Sequence, residues 1–231
     1  MASILQRIGE SAAEFSSGGG GSLDFTDAAL LDLVADGDVL LLVAYGATLG
    51  TPTGGGWVVR WSSGGWQAWT KSATAREAFP TLAASDGGDD AAGVLVVYRR
   101  GSIGYLVGVA VQTSTSGVSL HSTPAATVLD PNGLLLGLWL GSGGGLEPSY
   151  PPAGAQTVAA QKTSNASGGG ARWFVVVEAP ITAVPNAGTM ALSTGGAADM
   201  HIAIVPLRDR PPHAPGRLVD GGAGANIGLL P

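Results

Sequence analysis

Short β-prone runs, each ended by Gly, Pro or Ser, recur along most of this chain and constrain its fold more than any other feature. They read DVLLLVAY (38–45), GWVVRW (56–61), WQAWTK (66–71), GVLVVYRR (93–100), YLVGVAV (105–111), LLLGLWL (134–140), TVAAQK (157–162), RWFVVVE (172–178), TMALS (189–193) and HIAIVPL (201–207). A strand needs only a few residues between turn signals, whereas a buried helix needs an apolar stripe over several turns. No helical pattern separates the runs, so a parallel α/β sheet is not expected. The expectation is an all-β chain folded as an antiparallel β-sandwich, jelly-roll-like in its wrapping. Trp57, Val59 and Trp61 alternate with Val58 and Arg60, the pattern of a half-buried strand.

The runs echo one another in order. ADGDVLLLVAYG (35–46) is similar to LDPNGLLLGLWLG (129–141), and GGWQAWTKSATA (64–75) to GGARWFVVVEAP (169–180), which aligns Trp69 with Trp173. TLAAS (81–85) matches TMALS (189–193), and AAGVLVVYRR (91–100) matches ADMHIAIVPLR (198–208). This reads as a duplicated four-strand unit, with halves at about 35–111 and 128–207 inside a body spanning 23–207. One copy alone would expose an apolar face, so the two should pack together.

The ends have a different texture. Residues 1–15 place Ile4, Leu5, Ile8, Ala12 and Phe15 at helical spacing, predicting a short amphipathic helix that needs a partner to be stable. SSGGGGS (16–22) follows as a flexible linker, so 1–22 reads as a docking helix on a tether. DFTDAALLDL (24–33) reads as a helical turn or an entry loop. At the other end, 208–231 is an extended arm. Pro211, Pro212 and Pro215 forbid regular structure, DGGAGA is flexible, and Ile227, Leu229 and Leu230 follow it. Ile4, Leu5, Ile8, Phe15, Ile227, Leu229 and Leu230 are therefore the candidate partner-docking residues.

Composition narrows the function. Hydrophobic residues make up 45% and charged residues only 12%, with 38 glycines, so small neutral side chains must cover much of the surface. The net charge of −6 offers no basic stripe for nucleic acid. Cysteine is absent, which excludes disulfides and thiolate metal sites. No apolar run reaches the roughly 20 residues of a membrane helix, and MASILQRIGESAAEF lacks a signal-peptide core, so synthesis in a cytoplasm is expected.

Catalytic patterns are missing. No G-x-S-x-G elbow or phosphate loop occurs, and His121, His201 and His213 have no ligand spacing. Asp86, Asp89 and Asp90 are the candidate metal ligands, but the loop lacks the alternating donors of a calcium loop and reads better as a solvated turn. Of the six tryptophans, Trp57, Trp61 and Trp69 alternate like core. Trp66, beside Gly64-Gly65, is the candidate for stacking on a sugar ring. The chain is read as a non-enzyme without a cofactor.

The pattern GDVLLLVAYG…TPTGGGWVVRW…WTKSATAREAFPTLAAS…AAGVLVVYR resembles a domain that recurs in virion proteins of tailed phages, both minor tail and capsid-decoration proteins. The shared elements are the Gly37-Asp38 turn, the segment from Pro52 to Trp57, and the strand from Val94 to Arg99. The resemblance covers about 35–208; the second half repeats it more weakly and lacks the Gly-Trp strand. It implies a β-sandwich with a structural role in the virion, other virion proteins as partners, and a homo-oligomer. The expected function is a minor tail or tail-tip protein docking through its terminal arms. The alternatives are a capsid-decoration protein on the head and, in another class, a carbohydrate-binding module for host envelope attachment.

Overall fold

A computed structural model describes residues 6–15, 20–63, 65–85, 91–99, 105–107, 111–128, 133–142, 148–149, 157–163, 172–181, 186–188 and 190–209. The described residues are almost all β and antiparallel, with one helical turn among them. In order, the first half contains β1 (Gln6–Phe15), β2 (Gly20–Asp24), α1 (Ala28–Leu31), β3 (Val39–Tyr45), β4 (Thr48–Leu49), β5 (Val58–Ser63), β6 (Trp66–Ser72), β7 (Thr81–Ser85) and β8 (Ala91–Arg99). The second contains β9 (Tyr105–Val107), β10 (Val111–Ser122), β11 (Ala126–Val128), β12 (Leu134–Ser142), β13 (Pro148–Ser149), β14 (Thr157–Thr163), β15 (Arg172–Pro180), β16 (Asn186–Gly188) and β17 (Ala191–Asp209).

Each main sheet comes from one half of the chain. The first has the order β1-β8-β3-β6-β5, and the second has the path β10-β17-β12-β15-β14. The registers agree position by position. Val39 pairs with Tyr98 and Ser72, as Leu134 pairs with Leu207 and Pro180. Just beyond, the Ala73 amide donates to the Asp38 carbonyl at 2.8 Å, as the Ile181 amide donates to that of Gly133 at 3.0 Å. TLAAS pairs with β2 through Ser22↔Ala83, and TMALS pairs with the end of β10 through Ser122↔Ala191. One expected alignment changes. Trp66 lies opposite Tyr45 and Phe174 opposite Leu140, so Phe174 is the counterpart of Trp66, while Trp69 corresponds to Val177 and not to Trp173.

Three apolar layers hold these sheets. Between them, Leu41, Val43, Trp61, Trp66, Val94, Val96 and Tyr98 meet Leu136, Leu138, Leu140, Phe174, Val176 and Val205. On the far side of the first sheet, Leu40, Leu42, Trp69, Leu95 and Val97 pack under Leu23, Phe25, Leu30 and Leu82, supplied by β2, α1 and β7 with their flanks. On the far side of the second, Leu135, Trp139, Val175, Ile202 and Ile204 pack with Ile181 and Met190. Both central strands, β3 and β12, are therefore buried on both faces, and their apolar runs do not alternate. Each large aliphatic side chain removed from water in this way contributes about 1.5–3 kcal/mol.

Size complementarity differs between the halves. Gly93 lies under Phe25, whose Cζ would sit 2.8 Å from a Cβ there. In the second half Trp139 folds over its own neighbour Gly137, where a Cβ would meet the indole Cη2 at 2.4 Å. A large ring fills the outer layer in both cases, but from different elements.

The N-terminal segment differs from expectation. Residues 6–15 form a strand along β8, from Gln6↔Arg99 to Phe15↔Ala91, and not an amphipathic helix. The apolar strand β8 needs a partner on that edge, and nine paired residues outweigh the weak propensity of a short isolated helix. A register shift between Arg7 and Gly9 absorbs the mismatch. Gly9 lets Leu30 pack close, since a Cβ there would lie 2.6 Å from Leu30 Cδ1 and displace that side chain. The run SSGGGGS is not all linker either. Gly20, Gly21 and Ser22 belong to β2 and pair with Ser85, Ala84 and Ala83. The helical turn anticipated in 24–33 is α1, capped by Asp27, which accepts from the Leu30 amide at 2.9 Å.

Candidate functional site

The polar and aromatic groups that could carry chemistry lie at corners of the layered body. At one corner, β1 meets the second sheet. Arg7 Nη1 donates to Glu10 Oε2 at 2.6 Å and to the Ala159 carbonyl at 3.1 Å, and its Nε donates to Glu178 Oε1 at 3.5 Å. Arg7 is on β1, Ala159 on β14 and Glu178 on β15, so one guanidinium bridges the two sheets. The other carboxylate oxygen, Glu178 Oε2, and the hydroxyl of Tyr98 are both buried without a hydrogen-bond partner. Burial, and then the negative charge of Glu178, push the Tyr98 hydroxyl well above its ordinary range. A phenol held protonated beside a carboxylate oxygen lacking a donor is its natural partner. The arrangement is an electrostatic clasp between the two sheets.

A second polar tie closes the end of the first sheet. Asp38, 2% exposed, accepts from Arg99 through Nε at 3.3 Å and Nη2 at 3.0 Å, and from the Ala35 amide at 2.9 Å. Arg99 also donates to the Leu33 carbonyl. The fork-shaped bond to Asp38 raises the guanidinium pKa above its ordinary value. The second half has Gly133 at the position of Asp38. A Cβ there would come 2.1 Å from the Leu207 carbonyl oxygen, so the register leaves no room for an acid.

A third tie holds the loop before β5. Gly54, Gly55 and Gly56 all have positive φ, at 88°, 61° and 72°. Lys71 Nζ donates to the Gly54 carbonyl at 2.7 Å, pairs with Glu77 at 3.0 Å and lies 5.9 Å from the Trp57 ring centroid. The Trp57 indole donates to the Thr53 carbonyl at 2.9 Å. This tryptophan packs partly against the outer layer, while Trp61 turns into the layer between the sheets. A bulge between Val59 and Trp61 breaks the expected alternation, leaving both Val58 and Val59 exposed.

The sugar-stacking candidate is corrected. Trp66 is 1% exposed and stands between Trp61, with ring centroids 6.1 Å apart at 70°, and His201 at 6.4 Å. It is buried because it opens β6 opposite Tyr45, on the face that meets the second sheet. It presents no ring face to a ligand. Ile8, one of the candidate docking residues, packs partly against the outer layer of its own first sheet. Phe15 ends β1 opposite Ala91. Ile4, Leu5, Ile227, Leu229 and Leu230 lie outside the described residues, as do Asp86, Asp89 and Asp90. Among the described residues no group of His, Asp and Glu is placed to hold a metal ion, and no helix is long and apolar enough to cross a membrane.

The clasp at Arg7, the Asp38–Arg99 tie and the Trp61–Trp66–His201 stack were not anticipated from the sequence. Arg7 and Glu178, Asp38 and Arg99, and Trp66 and His201 are each separated by scores of residues, and only the folded sheets bring them together. The one available signal was a lone acid in the Gly37-Asp38 turn opening an apolar strand.

Both described histidines give a pH response. His121 is fully buried and His201 partly so, and desolvation lowers both pKa values below the ordinary 6.5. Unfolded chains bind protons that the folded imidazoles refuse, so this contribution is complete above pH 6.5 and is lost as pH falls below it. The thermal midpoint is expected to fall more steeply between about pH 6.5 and pH 5 than in a His121→Gln/His201→Gln double variant. Parallel pH profiles for the two proteins would refute this.

Comparison with protein-family models, curated proteins and solved structures finds no match to this chain.

Proposed function

We propose that this chain is a structural protein of a phage virion, a minor tail or tail-tip component that docks on neighbouring subunits through its terminal segments. The observation that carries this reading is how the body uses its polar groups. Arg7, Glu178, Asp38, Arg99, Lys71 and Glu77 all hold strands or loops to one another, and Trp66 fills the core. The resemblance of 35–208 to virion domains, the low charge and the apolar terminal sequences support the same reading. Docking then falls to residues 1–5 with Ile4 and Leu5, and to 210–231 with Ile227, Leu229 and Leu230. Covalent attachment to the body would raise their effective concentration at a neighbour's groove.

The strand identity of β1 sets the design of the test. Deleting 1–22 would strip β1 and part of β2, so lost assembly would report misfolding. A chain lacking 1–5 and 210–231 retains every described strand. It is expected to melt within a few degrees of the full chain, yet to be lost from assembled particles by about tenfold or more, the scale of one 1.4 kcal/mol contact. Full incorporation of this truncated chain would overturn the proposal.

A further inference from the structure

Among the described residues, the buried side-chain polar atoms without a partner are the Trp61 and Trp66 indole nitrogens, the Tyr98 hydroxyl and Glu178 Oε2. All four belong to the layer between the sheets: Trp61, Trp66 and Tyr98 are members of that core, and Glu178 lies on β15 opposite its member Leu136. The outer layers satisfy their polar groups. The Trp139 indole donates to the His121 carbonyl at 3.3 Å, and Thr123 Oγ1 accepts from the Met190 amide at 2.8 Å. Tyr98 and Glu178 complement each other, one a donor and the other an acceptor. Trp61 and Trp66 cannot, because an indole N–H only donates.

We propose that the corner formed by Trp61, Trp66 and His201 is a binding site for one buried water molecule. Trp66 is in ring contact with both Trp61 and His201, at 6.1 and 6.4 Å between centroids, so the corner offers two indole donors and an imidazole. Water matches that set, accepting from both indoles through its two lone pairs and donating to the unprotonated nitrogen of His201. Burial keeps that imidazole neutral, so the nitrogen is available as an acceptor. Both tryptophans are more than nine-tenths buried, at 5% and 1% exposure, so the rings are fixed and the acceptor must come to them. An anion is disfavoured, because among the described residues no Lys or Arg contact accompanies the three rings. The water would join β5 and β6 of the first sheet to β17 of the second, at the corner diagonal to the Arg7 clasp.

The test replaces single indole N–H groups with sulfur, using 3-benzothienylalanine at position 66 and, separately, at 61 in the full chain. The ring shape is retained and only the donor is lost. An indole bonded to water loses a hydrogen bond, so each midpoint is expected to fall by about 2–4 °C. An indole with no acceptor is relieved of a buried, unpaired donor, so a raised or unchanged midpoint at both positions overturns the proposal. As a second measurement, both indole protons should show NMR cross-peaks to one long-lived water. A crystal structure with a chain carbonyl within bonding distance of both nitrogens would also overturn it.

Discussion

Trp66→Ala is expected to destabilise the fold by about 3–5 kcal/mol in urea unfolding, the cost of removing a large ring from a packed core. Trp66 sits where the two sheets meet, edge-on to Trp61 and tilted against His201. Neither neighbour can close the gap, since Trp61 is held by pairing with β6 and His201 by pairing with β10 and β12. The loss is therefore a true cavity and sits near the upper end of the range. Trp57→Ala is the comparison. That ring is only partly covered and its indole bonds the local Thr53 carbonyl, so about 1 kcal/mol is expected. A Trp66→Ala protein as stable as wild type would mean that the ring is free at the surface. The sugar-stacking reading would then return.

Asp38→Ala is expected to cost about 2–3 kcal/mol, and Asp38→Asn less. The carboxylate is 2% exposed and accepts from Arg99 and from the Ala35 amide. Alanine leaves that amide and the guanidinium without their partner. Arg99 is 40% exposed at its side chain, so water partly replaces the lost carboxylate and holds the cost below that of a fully buried pair. Asparagine keeps an oxygen for Ala35 and for one arm of the fork. Equal loss in the two variants would show that charge, and not bonding, does the stabilising; a loss under about 0.5 kcal/mol in both would reduce the tie to an ordinary surface pair.

The fold class was legible because turn residues punctuate the β-prone runs so regularly. The strands over Val39–Tyr45, Trp66–Ser72, Leu134–Ser142 and Arg172–Pro180 lie within a residue or two of expectation. Two of the missed strands, β2 and most of β10, share a cause. Most of β10 reads QTSTSGVSLHS, and β2 is GGSLD; neither has the apolar density of an independent strand, and each is held by its neighbour. The extra outer layers were in principle visible. VLLLVA does not alternate, and a strand apolar on successive residues is buried on both faces. A two-layer sandwich would expose one of those faces. The candidate site was much less legible. Trp66 beside Gly64-Gly65 looks exposed by local composition, and only the register opposite Tyr45 buries it.

Sequence alone determines that this chain is all-β and antiparallel, that its central strands are apolar throughout, and that few charges are available for its surface. These properties follow from composition and from spacing within one strand, so no partner needs to be known. Tertiary structure alone decides that residues 6–15 extend along β8, that Arg7 reaches Glu178 across 171 positions, and that Asp38 meets Arg99 across 61. It also decides that all the unpartnered buried polar atoms of the described residues fall between the two sheets. The physical reason is the period-two geometry of a strand. Local pattern says which side chains share a face, but the partner across that face is set by register and layer order, which come from distant parts of the chain.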